Sequence, residues 1–424
     1  YSHAEGWSTI ASGRYCHAEG QETNANADYS HTEGYLTFTD GVHSHAEGIL
    51  TTASANYSHV EGRETKTLGQ YSHAEGYLTI AQGQASHAEG YSTFAEGNYS
   101  HVEGIYTTAS GEYAHAEGYN SNASAFACHA EGYNTKAQNQ YSHAEGNNTQ
   151  VNGLYSHAEG YNTKANGESC HAEGFEAIAS SYYSHAEGQY TLASGQSSHA
   201  EGDSTKVNSL AGHAEGYYTT CSGDYGHAEG YNTYVTNYYS HAEGYNTFVD
   251  GAYSHAEGYQ TIASFQGSHA EGYYSQATGQ GSHAEGNLAT ASGWYSHAEG
   301  NNTIAQGEYA HSEGNSTLAY GLGSHAEGSG SIAHGHYSLA AGLNSSVYGL
   351  GSAVIAGEGN LLEATADRSS IIGGQNITGS EADTVYVPRL YVAANNGEII
   401  LKDTTGTAWK ITVDTSGSLH VASV

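Results

Sequence analysis

Histidine and glutamate stand two residues apart in Tyr15-Cys16-His17-Ala18-Glu19-Gly20. The pair recurs with a constant 14-residue period from His3-Glu5 to His325-Glu327, 24 times with no slip in register. An imidazole beside a carboxylate can move protons, ligate a transition metal or form an ion pair. Repetition helps to choose among these, because a catalytic site is needed once per chain whereas a structural unit is repeated. The array, represented by His3, Glu5, His17, Glu19, His73, Glu75, His157, Glu159, His241, Glu243, His325 and Glu327, reads as a structural ladder. A buried charge must be paired, so each imidazole N–H is expected to meet a carboxylate. Metal ligation is the sharper alternative and a solvated His-Glu face the third reading; neither a metal nor a cofactor is expected. Pairing would lower the Glu pKa values and raise those of His, so stability would peak between mildly acid and mildly alkaline pH.

No other constellation points to catalysis. Zinc deaminases carry His-x-Glu too, but they need a Pro-Cys-x-x-Cys partner, which the sequence lacks. There is no Gly-x-Ser-x-Gly, no phosphate loop and no nucleophile–base–orienter set, so no enzyme activity is expected. Only 10 Lys plus Arg oppose 44 Asp plus Glu, for a formal charge of −34 with His neutral. Phosphate backbones require a basic patch, so nucleic acid is not an expected partner. No apolar run is long enough to span a membrane, and no signal peptide is visible. Met is absent and the sequence opens within a module, which favours a piece of a longer chain.

The elements that position His and Glu follow from the module Tyr-Ser-His-Ala-Glu-Gly-x-x-Thr-x-Ala-x-Gly-x. Both halves alternate with period 2, the signature of strands. Each half ends at Gly, as at Gly6 and Gly13 or Gly76 and Gly83, where positive φ is expected to turn the chain. One module is therefore one coil of a narrow parallel β-roll. A 14-residue unit cannot bury a core alone and must stack on its neighbours. At ~4.8 Å per coil the 24 regular coils would extend roughly 115 Å.

Small residues mark the inside. The residue before His is Ser, Cys16, Cys128, Cys170, Ala114, Ala310, Gly212 or Gly226, and the residue between His and Glu is Ala in 20 of 24 copies. With the Thr and Ala of the second half, these positions are expected to line the roll. The fourth cysteine, Cys221, replaces one such Ala. Cysteines placed in separate coils are expected to stay free. His and Glu then face outward, yet they never drift, so something should pack on them. After Gly328, Leu339 and Ala341 take the His and Glu places, and Ile371 is read into the same slot. A roll this thin has too small a core to stand alone, so the expected cover is other copies of the same chain.

Tyrosine, with 38 copies, is the second signal. One column precedes Ser, as at Tyr15 and Tyr57. Another follows Gly on five successive coils: Tyr217, Tyr231, Tyr245, Tyr259 and Tyr273. Stacked rings covering a subunit seam are one reading; a glycan-binding surface, with rings flanked by Asn and Thr, is the other. Asn-x-Ser/Thr sequons arise by chance in a chain this rich in Asn and Thr. The Thr-x-Ala columns are placed inside, which argues against ice binding.

The Ser-His-Ala-Glu-Gly repeat and its period resemble the head repeats of YadA-type trimeric autotransporter adhesins, whose motif is Asn-Ser-Val-Ala-Ile-Gly, with His and Glu here in place of Val and Ile. The resemblance covers residues 1 to about 345 and, more loosely, to about 380; similar arrays occur in phage tail-fibre-like proteins. The tail, from Asp383 to Leu390 and from Trp409 to Asp414, also looks like the end of such fibres. The resemblance implies an all-β fold: a homotrimeric rod of left-handed parallel β-rolls (a 14-residue-repeat solenoid) with a small C-terminal β cap. The expected division is regular repeats over 1–328, degenerate coils forming a neck over 329–380, and a cap over 381–424 with turns at Thr404-Thr405-Gly406 and Thr415-Ser416-Gly417. The expected function is an extracellular attachment fibre, on a virion or cell surface, that recognises a host glycan or protein receptor. The alternative is a purely structural extracellular filament subunit that polymerises end to end.

Overall fold

A computed structural model describes residues 1–390, 399–402, 407–413 and 418–423. It divides into two units, Tyr1–Ser282 and His283–Val424. Every regular element among the described residues is a strand, and no helix is long and apolar enough to cross a membrane.

The first unit is a parallel β-solenoid of twenty coils, one per module. Each coil has a five-residue strand beginning at His and a two-residue strand, such as His17–Gln21 and Asn24–Ala25. The second strand is shorter than the alternation implied. The residue two before it leaves the β region, as at Glu22 with φ 57°. Coils pair in register, with His17, Ala18 and Glu19 on His31, Thr32 and Glu33. The short strands pair likewise, Asn24 on Phe38 and Ala25 on Thr39. Like therefore lies on like, one module apart.

The interior is built from small side chains, as expected. Ala18, Thr23 and Ala25 are wholly buried, and Ser30 and Cys16 nearly so. The buried Ser hydroxyl donates to the carbonyl three residues back, as Ser44 does to Gly41 at 2.6 Å and Ser86 to Gly83 at 2.7 Å. Cys16 makes the same bond to the Gly13 carbonyl at 2.9 Å, which explains why Cys is accepted there. All four cysteines are free and buried, and burial raises the thiol pKa of Cys128, Cys170 and Cys221. The Thr columns lie inside, where they cannot meet ice.

The turns depart from the expectation in one respect. The Gly after Glu does take positive φ, as at Gly160 with φ +112°, and a Cβ there would lie 2.2 Å from the carbonyl oxygen of Gly174 in the next coil. The second Gly of the module, Gly13 or Gly83, does not. Positive φ falls two residues later, on Tyr15 (φ 59°), Tyr29 (φ 62°) and Ala85 (φ 52°). A side chain in this region is disfavoured, but the backbone bond to the previous coil fixes it, as in Tyr29 N–H to the Arg14 carbonyl at 2.8 Å. Positive φ therefore does not require Gly at the second site, which also carries Ala27, Ala55 and Ala125, although a Cβ on Gly83 as it stands would lie 1.9 Å from the Gly97 carbonyl oxygen.

The second unit begins with the same coils. Leu339–Leu343 then pairs on His325–Ser329, with Leu339 on His325 and Ala341 on Glu327, as expected. The reading of Ile371 is corrected. Ile371 pairs with Val354, and Val354 with Ala340, so it occupies the interior column and is wholly buried. Ser370, paired through Ala353 with Leu339, holds the His place. Bulges shift the register between these coils, and Val347, Val354, Leu362 and Ile371 replace small interior residues with larger ones. Arg368 grips Asp383 through two hydrogen bonds of 2.7 and 2.9 Å, which raises the Arg368 pKa and lowers that of Asp383. Ile399–Lys402, Ala408–Val413 and Leu419–Ser423 form a three-stranded antiparallel sheet. The expected turns at 404–406 and 415–417 lie outside the described residues.

Both glycine sites are tight, since a Cβ on Gly167 would lie 2.0 Å from the carbonyl oxygen of Ser181 in the next coil. Gly160→Ala, which also strains a positive-φ backbone, is expected to lose about 1–3 kcal/mol or more. Gly167→Ala should lose less, because φ is ordinary there and the coils with Ala27, Ala55 and Ala125 show that this turn can shift to admit a Cβ. Chemical denaturation of the two variants checks this, and a larger loss at Gly167 would refute it.

Candidate functional site

The outward face of the long strands carries three parallel columns: His, Glu and the residue after Gly. Alternation sends the intervening Ala inward, so all three share one face. In most coils His reaches its own Glu, with Nε2 to Oε2 at 3.5 Å for His3–Glu5, 3.6 Å for His17–Glu19, 3.9 Å for His73–Glu75 and His157–Glu159, and 3.8 Å for His241–Glu243 and His325–Glu327. Both side chains stay partly open; for His129 and Glu131 the exposures are 34% and 45%.

In-register pairing puts imidazole on imidazole. The rings of His115 and His129 stack at 4.6 Å and 3°, those of His129 and His143 at 4.6 Å and 7°. Ring rotation is tolerated, since His213 and His227 meet edge-on at 66°. In this stack the Nε2 atoms of His17, His73, His157, His241 and His325 are shielded from solvent and have no hydrogen-bond partner within the chain. A shielded polar atom without a partner is costly, so the column is incomplete in a single chain.

Stacking reverses the expected direction of the His pKa. Burial, and then the flanking imidazoles His115 and His143, push His129 down to about 4. His45, His73, His157 and His241 are lowered for the same reasons, with the nearby glutamates pulling upward too weakly to prevail. For these histidines the raised pKa expected from pairing is therefore corrected: each ring loses hydration and has two imidazole neighbours, while its carboxylate stands 3.6–3.9 Å away.

The tyrosines form continuous stacks. Successive ring centroids from Tyr217 through Tyr231, Tyr245 and Tyr259 to Tyr273 are 5.1, 4.8, 4.9 and 4.9 Å apart. Ring faces are taken up by neighbours, leaving edges and hydroxyls outward. Tyr15, Tyr29, His43, Tyr57 and Tyr71 stack in the other column.

Two features escape the reading of the sequence. An amide ladder runs through Asn120, Asn134, Asn148 and Asn162, at 2.9, 2.6 and 2.6 Å. Its signal is Asn recurring at a positive-φ site, where Asn is the best-tolerated side chain after Gly. An apolar groove of about 490 Å³ lies over Leu36, Phe38, Leu50, Leu78, Ile80 and Phe94, with Glu64 and Lys66 at its wall. Large apolar residues at the same two module positions on neighbouring coils mark it.

The lowered His pKa values set a pH dependence. An unfolded His binds a proton near pH 6.5, while folded His129 does so only at about 4. Between these values the unfolded chain holds more protons, so stability falls as pH drops through that window and is unaffected by His above it. The melting temperature should therefore decline from pH 7 to pH 4. A flat profile would contradict the stacked column.

The family described as YadA head domain repeat (2 copies) matches the chain at residues 74–100, 186–205, 284–307 and 298–324. No curated protein matches it. All the matched segments lie in regular His-x-Glu coils of the parallel solenoid. The matched modules of this chain are similar to YadA head domain repeats.

Proposed function

We propose that the chain is part of an extracellular attachment fibre, assembled as a homotrimer, in which the solenoid displays a receptor-binding surface at a distance from its anchor. One observation carries the reading: an outward face of His and Glu columns, joined over five coils by Tyr, whose imidazole nitrogens are shielded and have no hydrogen-bond partner. Such a face is completed by a cover of matching period, and further copies of the same chain supply that period. We assign the ladder from His3 and Glu5 to His325 and Glu327 to this seam, where a neighbouring copy's Glu can reach each Nε2. Residues 1–328 would form the repeat body, 329–380 the neck and 381–424 a cap that shields the last coil's strand edges. The YadA head likeness supports both the trimer and the adhesive role.

The stack Tyr217, Tyr231, Tyr245, Tyr259 and Tyr273 is assigned to receptor contact, with a host glycan as the favoured ligand class. Its hydroxyl edges face outward beside Asn232 and Asn246, which are bonded at 2.6 Å. A sugar would run along these edges and amides.

Sedimentation mass together with electron microscopy of the purified chain tests the assembly. A trimer of finite length is expected, and a monomer would overturn the seam. Open-ended filaments would favour a structural subunit joined end to end. Receptor contact is tested separately. Saturable binding to host cells or glycans should weaken roughly tenfold in Tyr231→Ala/Tyr245→Ala if these rings are a hot spot. Unchanged binding would remove the Tyr assignment.

A further inference from the structure

The His and Glu columns also place metal-ligand donors together within one chain. In His199, Glu201 and His213 the three donor atoms lie within 4.8 Å of one another, and the same holds for His283, Glu285 and His297, for His297, Glu299 and His311, and for His311, Glu313 and His325. Each group takes two imidazoles from successive coils and the carboxylate of the first. Nitrogen and oxygen ligands at about 2.0–2.1 Å from a tetrahedral Zn²⁺ stand roughly 3.3–3.4 Å apart. The His–Glu separations of 3.8 Å in His199–Glu201 and 3.6 Å in His311–Glu313 lie within about 0.5 Å of that spacing. They are long for a hydrogen bond.

The imidazoles must also turn toward a shared ion. His199 and His213 stack at 4.8 Å with an 8° tilt, and His311 and His325 at 4.6 Å with 13°. A common ion requires these rings to rotate and their nitrogens to approach by up to about 1.5 Å to reach tetrahedral Zn–N geometry. The 66° pair at His213 and His227 shows such a rotation accommodated within the column. The Nε2 atoms of His199, His213, His297, His311 and His325 have no hydrogen-bond partner within the chain and no access to solvent. Coordination would satisfy them.

We propose that these triads are sites for a borderline divalent cation of the Zn²⁺ class, each held by two imidazoles from successive coils and one glutamate. Two nitrogens and one carboxylate oxygen suit Zn²⁺, Co²⁺ or Ni²⁺ and not Ca²⁺ or Mg²⁺, which take oxygen ligands. The remaining coordination position is left for water. Neighbouring triads in the second unit share His297 and His311, so with one nitrogen per His only two of its three groups fill together. Among the described residues this makes three ions per chain, one in the first unit and two in the second. All donors come from one chain, so in these triads the cation takes the Nε2 atoms, and the pairing with a neighbouring copy's Glu is confined to the other coils.

The test is calorimetric titration of the chelator-stripped full chain with Zn²⁺, alongside the visible spectrum of its Co²⁺ form, with oligomeric mass measured on the same sample. Saturation at three ions per chain is expected. The Co²⁺ spectrum should show d–d bands of a low-coordinate site without thiolate charge-transfer absorption, which excludes the buried cysteines. The combined variant Glu201→Gln, Glu285→Gln, Glu299→Gln and Glu313→Gln keeps side-chain size. It should lose affinity roughly tenfold or more, at least the loss seen when an outer-shell partner is removed. Circular dichroism reports its fold. Absence of saturable binding, uptake of an ion by every repeat histidine, or unchanged affinity in a folded variant would each overturn the proposal. Because the wild-type spectrum stands alone, a variant that fails to fold still leaves the assignment decided.

Discussion

The in-register parallel backbone ladder is the constraint on which the rest of the structure depends. Strands of the His-x-Glu coils find their hydrogen-bond partners in the adjoining coil, one module away, so no conventional hydrophobic core is needed to hold the backbone. The interior can then be Ala, Ser and Thr. This freedom has a limit, because two coils can approach only where backbone meets backbone. Gly160, with its φ of +112° and the Gly174 carbonyl directly over it, marks that limit.

The same register that makes the fold simple makes its outer face demanding. Identical side chains are brought to within stacking distance whether or not they attract one another. Aromatic rings gain from this arrangement, and the tyrosine columns run for several coils at a time. Amides gain as well, each Asn donating to the next. Imidazoles gain dispersion but lose hydration, and a proton added to one ring meets a ring on either side. The glutamates beside them remain better solvated than the imidazole nitrogens they approach. The His-Glu face therefore has the composition of a paired surface without the pairing, and this imbalance motivates both a covering copy and a bound cation.

The fold is legible because the period is written directly in the residues. Alternation separates Ala18 from His17 and Glu19, and the tolerance of Cys16, Ala114 and Gly212 at one position identifies the interior. What is not legible follows from the same stacking. Along the chain His129 stands beside Glu131 and suggests a pair, whereas parallel register makes His115 and His143 its stronger electrostatic neighbours. The pKa direction changes with it. Residue type alone assigns positive φ to Gly13, but it falls on Tyr15, where intercoil bonding outweighs intrinsic preference. Ile371 is misplaced by its sequence because insertions before it shift the count, and an apolar residue fits either face of a strand.

Module number carries a consequence of its own. Each regular coil meets the next through the same bonds, so adding or deleting whole modules changes extent without creating a new kind of contact. An insertion of another length must be absorbed outside the ladder, as in the 17-residue spacing from Ala353 to Ser370, where Ser370 still pairs with Ala353 and Ile371 with Val354. Reach is thus a quantity that duplication can adjust in steps of one coil, while the chemistry of the surface stays constant. The chain behaves as a ruler whose gradations are modules, and its length can be selected independently of its fold.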